Sequence, residues 1–409
     1  MTSAHDPRDF GLDNLPFGIF SAGDDAPRAG VAFADHVVDL HRLVASTLLD
    51  EESLHGAATL NAFLARGLGA WRAVRARLRH LLSEAADGTE REIVRTCLVP
   101  RAGVTMHLPV SVGDYVDFYA SLEHATNLGR ILRPNTEPLL PNYRHVPIGY
   151  HGRSGTIVPS GTAIRRPQGQ KKAPDAPAPS FGPSAMLDVE LEMGWIAGPG
   201  NAHGEPIPVD AVREHVFGFA LLNDWSARDI QAWEYQPLGP FLGKSFATSL
   251  SPWIVTLDAL EPFRCAEPQR DPEPLPYLRA REAWSYDVEL EMLLQTPRMQ
   301  QHGIPPITVS RTNPRAMYWT VAQQLAHATS NGATIRPGDL FGTGTISGSE
   351  PGTQGSLIEL TWRGAKPIAL PGGETRGFLE DGDTVIMRGR AVRGEARVGF
   401  GEVIGTIAG

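Results

Sequence analysis

Asp188-Val-Glu-Leu-Glu-Met193 alternates acidic and apolar residues without interruption. A period of two is that of an extended strand, so Asp188, Glu190 and Glu192 share one face and Val189, Leu191 and Met193 the other. Successive carboxylates on one face are then about 7 Å apart. Clustered carboxylates repel one another unless they are solvated or bridged by a cation, and hard oxygen ligands suit Ca2+ or Mg2+. The plainer reading is a strand with one wet acidic face. The same six letters recur at Asp287-Val-Glu-Leu-Glu-Met292. The pattern alone does not say which copy, if either, holds a metal.

Outward from this strand the chain keeps a β-rich texture. It holds 43 glycines and 34 prolines in 409 residues, more than is usual. With 42% hydrophobic residues it can still bury a core, so the surplus reads as turns rather than disorder. Short strands are predicted at Phe17–Phe20, Gly30–Phe33 and Val37–Leu40. Trp71, Val74, Leu78, Leu81 and Leu82 recur at threes and fours and predict a helix with one apolar face. Arg72, Arg75, Arg77 and Arg79 read as its solvated side. The segments 167–183 and 262–276 read as exposed, Pro-rich loops. A second helix is predicted from Asn313 as N-cap and Pro314, burying Met317, Val321, Leu325 and Ala328 and ending at Gly332. Asp381-Gly-Asp383 and Val398-Gly-Phe400 read as parts of hairpins. The length allows two or three domains. The change of texture predicts a small N-terminal domain, residues 1–110, and a larger, mostly β, domain, residues 111–409.

Several classes of function are disfavoured. Against 46 Asp+Glu stand 37 Lys+Arg, a net charge of −9, which argues against a broad basic surface for nucleic acid. Two cysteines, Cys97 and Cys265, make a disulfide framework or a four-cysteine zinc site untenable. Met1 to Phe10 has no leader-like pattern, and no apolar run approaches the roughly 18 residues of a membrane span. The expectation is a soluble, cytoplasmic protein. Phe241-Leu-Gly-Lys-Ser245 imitates the end of a phosphate loop, but the first glycine of that motif would fall at Leu238 and Gly239 comes one place late. Gly342, Gly344 and Gly348 do not match a dinucleotide fingerprint either.

Two further stretches carry chemistry. In Asn223-Asp-Trp-Ser-Ala-Arg-Asp-Ile-Gln-Ala-Trp-Glu-Tyr235, helical spacing places Asp224, Arg228, Gln231 and Tyr235 on one face, with Ile230 and Trp233 free to pack the helix down. The plainer reading is a surface helix with an Asp–Arg pair. Asp114-Tyr-Val-Asp-Phe-Tyr-Ala-Ser-Leu-Glu-His124 combines carboxylates, Tyr119 and a histidine, the residue type suited to general-base work near neutral pH.

Asp117-Phe-Tyr119, His124-Ala-Thr-Asn127, Gly149-Tyr-His-Gly152, Asp188-Val-Glu-Leu-Glu192, Asn223-Asp-Trp-Ser-Ala-Arg-Asp229, Pro237-Leu-Gly-Pro-Phe-Leu-Gly-Lys-Ser245 and Gly344-Thr-Ile-Ser-Gly348 stand in order. Together they resemble the fumarylacetoacetate hydrolase family, from about residue 105 to the C-terminus. The N-terminal region matches more in length and texture than in motif. The resemblance implies a mostly β protein, with a small N-terminal SH3-like barrel and a C-terminal mixed β-roll, assembled as a homodimer. It implies metal-dependent hydrolysis of the carbon–carbon bond of 4-fumarylacetoacetate, in tyrosine and phenylalanine catabolism.

It also implies site residues. Asp117, Glu190, Glu192 and Asp224 match the divalent-ion ligands, usually for calcium. Lys244 and Thr248 match positions beside a magnesium or second cation, the lysine through its backbone carbonyl. The metal strand is then the copy at 188, and the copy at 287 is left as a solvated face. His124 matches the base that activates water, and Glu359 the carboxylate that orients it. Arg228, Gln231 and Lys244 match donors to the oxyanion and the enolate. Tyr119, Arg133, Gln231, Tyr235 and Thr345 match substrate contacts, chemically apt for a dianionic β-diketo acid. Glu123 departs from the family pattern; on a strand it points away from His124. Acylpyruvate hydrolases and decarboxylase/isomerases of the same superfamily are the nearest rivals, and the N-terminal domain and the Arg228/Gln231/Tyr235 face weigh against them. From another class, a non-catalytic dicarboxylate-binding protein has no need of a base and its orienter.

Overall fold

The computed structural model describes residues 6–409, so the reading of Met1–Phe10 falls in part, at Met1–His5, outside the described residues. The early apolar runs form the strands Phe17–Ala22, Arg28–Phe33 and His36–Asp39. They pair antiparallel with one another and with Leu98–Pro100 and Val104–His107, which makes a five-stranded sheet of the small-barrel type. The helix Gly67–Leu81 buries Trp71, Val74, Leu78 and Leu81, as the spacing predicts. Its arginine side is not simply solvated. Arg75 is buried and donates to the backbone oxygens of Asn14 and Asp13, because that loop passes over the helix. Arg77 donates to the Leu48 oxygen, and Arg72 pairs with Asp258 at 2.9 Å.

This sheet does not keep a core to itself. Phe17, Phe63 and Trp71 gather around Phe217, at ring separations of 5.4, 5.9 and 5.1 Å. Phe17 also bridges to Ile254. Phe217 is the second residue of a strand of the central sheet, Val216–Asp224, whose residues are all buried. The central sheet runs in the order Gly149–His151, Tyr115–Phe118, Leu340–Gly342, Leu191–Ala197, Val216–Asp224, Thr248–Leu250, Ile157–Pro159. Leu340–Gly342 lies parallel to Tyr115–Phe118, and Thr248–Leu250 parallel to Ile157–Pro159; the other pairs are antiparallel. A second sheet orders Ile307–Thr312, Glu289–Gln295, Thr384–Arg393, Ala396–Ala408 and Ile164–Arg165. Leu191, Met193, Trp195 and Leu221 of the first share a core with Leu290, Met292, Met387 and Phe400 of the second. The chain is thus mostly β, with a mixed C-terminal β-roll.

Some local expectations change. Asn313 does cap through its side chain, but it opens only the turn Pro314–Ala316. Val321–Thr329 is a separate helix, started by a Thr320/Gln323 capping box. The break arises because the N–H groups of Tyr318 and Trp319 both donate to the Ala120 oxygen, which takes that backbone out of any continuous helix. The segment 167–183 is not a plain loop: Gln168–Lys171 and Ser180–Pro183 pair antiparallel, with Pro174, Pro177 and Pro179 confined to the connection. The C-terminal hairpin turns at Gly394-Glu395, not at Asp381–Asp383; Asp383 is buried against Arg376 at 2.8 Å.

Candidate active site

The central sheet brings four acids from three separate stretches to one end. Asp117 lies in Tyr115–Phe118, Glu192 in Leu191–Ala197, and Asp224 ends Val216–Asp224. Glu190 sits just before its strand, held by a bridge to Ser356 and by the Asp224 N–H on its backbone oxygen. Each of the four offers a carboxylate oxygen, and these lie within 4.8 Å of one another, all buried. That spread suits a hard cation with oxygen ligands at about 2.3–2.6 Å. Asp117 Oδ1 and Glu192 Oε1 are buried without a hydrogen-bond partner. A Cβ on Gly342 would stand 2.6 Å from Asp117 Oδ1 and 2.9 Å from Glu192 Oε2, so glycine is what lets the neighbouring strand close on the cluster. These observations fit a divalent metal.

The charges around the cluster are uneven. Lys244 Nζ donates to Glu190 and, at 2.7 Å, to Asp224 Oδ2. Arg228 reaches Glu190 Oε1 at 2.7 Å and shares its guanidinium with Asp188. Burial pushes the Asp117 carboxyl well up, and the charge of Asp224 adds to it; burial and then Asp117 do the same to Glu192. Glu190 goes the other way: burial opposes its ionisation, but Lys244, Arg228 and His124 hold it well below the carboxylate range. One ammonium and a shared guanidinium leave the far side of the cluster without a counter-charge.

His124 stands beside this cluster on a helix, Leu122–Leu132, not on a strand. Ser121 caps that helix and bonds the Ser347 backbone oxygen, which anchors its first turn. His124 Nδ1 meets Glu359 Oε2 at 2.6 Å, although 235 positions separate them in the chain. Nε2 lies 4.0 Å from Glu190 Oε1. Glu359 also accepts from Asn127 Nδ2 (3.0 Å), Ser347 Oγ (2.9 Å) and Ser356 Oγ (2.7 Å). Burial works against its charge, yet His124, Asn127 and Ser356 keep its carboxyl below the ordinary range. Because the segment is helical, Glu123 turns to a different cavity, which it lines with Thr126, Asn127 and Arg130; there burial raises its carboxyl.

The Asp224–Tyr235 stretch is not one helical face. Asp224 belongs to the strand, and the helix is only Arg228–Glu234. No Asp224–Arg228 pair forms. Arg228 instead turns to Asp188 and Glu190, and its Nη1 donates to Gln231 Oε1 at 3.1 Å. Ile230 packs this helix down, whereas Trp233 is 43% exposed. A cavity of about 560 Å³ opens over the cluster. Asp117, Glu190, His124, Arg228, Gln231 and Lys244 line it, and so do Tyr119, Arg133, Tyr235 and Thr345. Tyr119 packs edge-on to His124 at 5.3 Å. Arg133 Nε and Thr345 Oγ1 are buried and have no hydrogen-bond partner. Thr248 Oγ1 lies 3.4 Å from Asp224 Oδ1, on the far side of Asp224.

Sequence reasoning assigned no site role to five residues here. Tyr150 donates to Asp224 Oδ2 at 3.1 Å and lines the cavity; it stands in the quoted Gly149–Gly152 motif. Asn127 is three places after His124, on the same helical face. Ser347 and Ser356 hold Glu359; Ser347 stands in the quoted Gly344–Gly348 motif, and Ser356 carries no local signal. Asp188 was counted with the strand's acidic face, but its carboxylate turns away from the metal cluster.

The overall architecture is that of a solved fumarylacetoacetate hydrolase from psychrophilic Exiguobacterium antarcticum, with a TM-score of 0.54 at 18% identity over 96% of this chain and 99% of that one. At that identity the likeness is one of fold. Residues 13–109 match the family described as fumarylacetoacetase N-terminal, and residues 115–408 the fumarylacetoacetate (FAA) hydrolase C-terminal family. The chain is 48% identical over 406 residues to the fumarylacetoacetase of Homo sapiens, covering 98% of this chain and 96% of that one. It is 47% identical to that of Oryza sativa (97% and 94%) and 46% identical to that of Caenorhabditis elegans (98% and 96%). The chain belongs to the fumarylacetoacetate hydrolase family. Among the described residues no helix is long and apolar enough to cross a membrane.

Proposed function

We propose that the protein is a fumarylacetoacetase, which hydrolyses 4-fumarylacetoacetate to fumarate and acetoacetate at the end of tyrosine and phenylalanine breakdown. The observation that carries this is one cavity that joins a buried acid cluster, a base–orienter pair and two buried cations. His124 Nδ1 is occupied by Glu359, which leaves Nε2 to take a proton from water as the hydroxyl adds to the ketone carbon. The Glu359 charge stabilises the imidazolium that forms. Arg228, Lys244 and Gln231 donate to the oxyanion and then to the enolate as the carbon–carbon bond breaks, a role worth about 3 kcal/mol per donor. His124 returns the proton to the departing carbon. Arg133, Tyr119, Tyr235 and Thr345 hold the substrate's carboxylates and oxygens, and the unpaired Arg133 Nε and Thr345 Oγ1 are suited to that.

In this reading Asp117, Glu190, Glu192 and Asp224 would hold Ca2+, and Thr248 and the Lys244 carbonyl would lie beside Mg2+ or a second cation. When bound, the divalent ion supplies Lewis-acid polarisation of the substrate's oxygens. A functional division near residue 110, a homodimer and a cytoplasmic setting complete the proposal. Steady-state turnover of fumarylacetoacetate against acylpyruvates, each with added Ca2+ or Mg2+, tests it. A clear preference for acylpyruvates would move the assignment to that branch, and no turnover of either would leave only a binding protein.

A further inference from the structure

We propose that Asp188 is a positioning residue that locks the oxyanion side of the site to the base side. The inference rests on the reading of Arg228 as an oxyanion donor and Glu359 as the orienter of His124. Asp188 is fully buried and lies outside the acid cluster. Its Oδ2 accepts from Arg228 Nε at 2.7 Å and from the Ile358 N–H at 3.1 Å. Its Oδ1 accepts from the N–H groups of Leu357 and Val189, both at 2.8 Å. Leu357 and Ile358 open the short helix Leu357–Leu360, which carries Glu359.

The first N–H groups of a helix have no partner within it. The residue at the cap position, Ser356, does not fill that role with its side chain, because its Oγ donates to Glu359. Asp188 fills it from another strand. One carboxylate therefore fixes a guanidinium and a helix start together, with each oxygen accepting two hydrogen bonds. Charge-assisted bonds of this kind are directional. A shift of Asp188 moves Arg228 and Glu359 at once, although Asp188 does not line the cavity.

Asp188→Asn keeps the shape and one carbonyl acceptor, but removes the charge and turns an NH2 group toward donors. The expected result is a fall in kcat for fumarylacetoacetate of about 100-fold, with KM changed by less than about threefold. Calorimetric Ca2+ affinity and cooperative unfolding are expected to persist. Combined with Arg228→Gln, the loss should be far from multiplicative, with the double variant within about tenfold of R228Q alone. Losses that multiply would overturn the proposal, as would wild-type kcat in D188N. A D188N chain that no longer folds or binds Ca2+ would overturn it too, since Asp188 would then serve the fold or the metal. His124→Ala separates this from the parent reading. Normal turnover in H124A sinks the whole site, whereas a dead H124A beside a fully active D188N sinks only the role of Asp188.

Discussion

Asp188–Met193 and Asp287–Met292 are identical in sequence and opposite in circumstance. In the first copy Asp188, Glu190 and Glu192 are all buried, and the strand is interrupted so that Glu190 bridges to Ser356. In the second, Glu289–Gln295 is a continuous strand whose acids are half-exposed. There each acid meets its own partner: Asp287 accepts from Asn313 at 2.7 Å, Glu289 from Arg390 at 2.6 Å and Glu291 from Arg311 at 2.7 Å. Glu291 lies opposite Arg311 on one neighbouring strand and Arg388 on the other. The apolar face behaves alike in both copies, with Val189 and Val288, and Leu191 and Leu290, fully buried. Alternation is local, whereas the need for a cation comes from the neighbours. Acids paired with arginines at the surface are already balanced, whereas four buried acids facing one ammonium and a shared guanidinium form a group that a divalent cation fits.

That contrast can be broken in several places. The largest effect is expected from His124→Ala, because only the first copy has a base within 4.0 Å; turnover should fall by roughly 10²–10⁴-fold with the fold retained, as steady-state kinetics and circular dichroism would show. Next, Asp224→Ala removes one carboxylate of the cluster and should weaken Ca2+ binding by about 100-fold or more in calorimetry; an unchanged isotherm would mean that the cluster is not the metal site.

Metal removal sharpens the comparison through pH. Burial raises the Asp117 and Glu192 carboxyls in the metal-free chain. Their contribution to stability is then present when they are protonated and is lost as pH rises through their raised values. Since Ca2+ needs them ionised, the gain in Tm at one fixed Ca2+ concentration should be larger at pH 8 than at pH 6; where that concentration is a hundredfold above Kd the gain in unfolding free energy is about 2.7 kcal/mol. A gain that shrinks with rising pH would contradict this. The smallest effect belongs to the second copy. Glu291→Ala should leave Ca2+ affinity and kcat unchanged and cost about 0–1 kcal/mol in denaturant unfolding, the usual worth of such a pair with a mostly exposed arginine.

The chemistry was more legible than the geometry. The four clustered acids, His124, Arg228 and Lys244 are recognisable in the sequence because motifs carry them, and Glu359 through the resemblance; in the structure Asp117, Glu190, His124, Arg228 and Lys244 line one cavity, with Glu192, Asp224 and Glu359 directly behind them. The helical face drawn through Asp224, Arg228, Gln231 and Tyr235 was not correct, since spacing cannot reveal that strand pairing with Thr248–Leu250 extends through Asp224. The helix predicted from Asn313 onward failed for a similar reason: Ala120, far away in the chain, claims the N–H groups that would have continued it. Ser356 gave no signal, and Ser347 showed nothing of its role although it stands in the Gly344–Gly348 motif, because a serine beside a buried carboxylate looks like any other serine until the chain is folded.

By itself, the sequence determined the alternation of the strands, the apolar faces and the kinds of group available for catalysis, since these depend on residue type and on periods of two or of three to four. Only the tertiary structure decided which copy of a repeated hexapeptide is buried, that Asp188 turns from the metal cluster to Arg228 and the Glu359 helix, and that His124 meets Glu359 across 235 positions. Burial and charge pairing are properties of neighbours in space, and two identical segments acquire different chemistry when the chain buries one beside two further acids and lays the other at the surface against arginines.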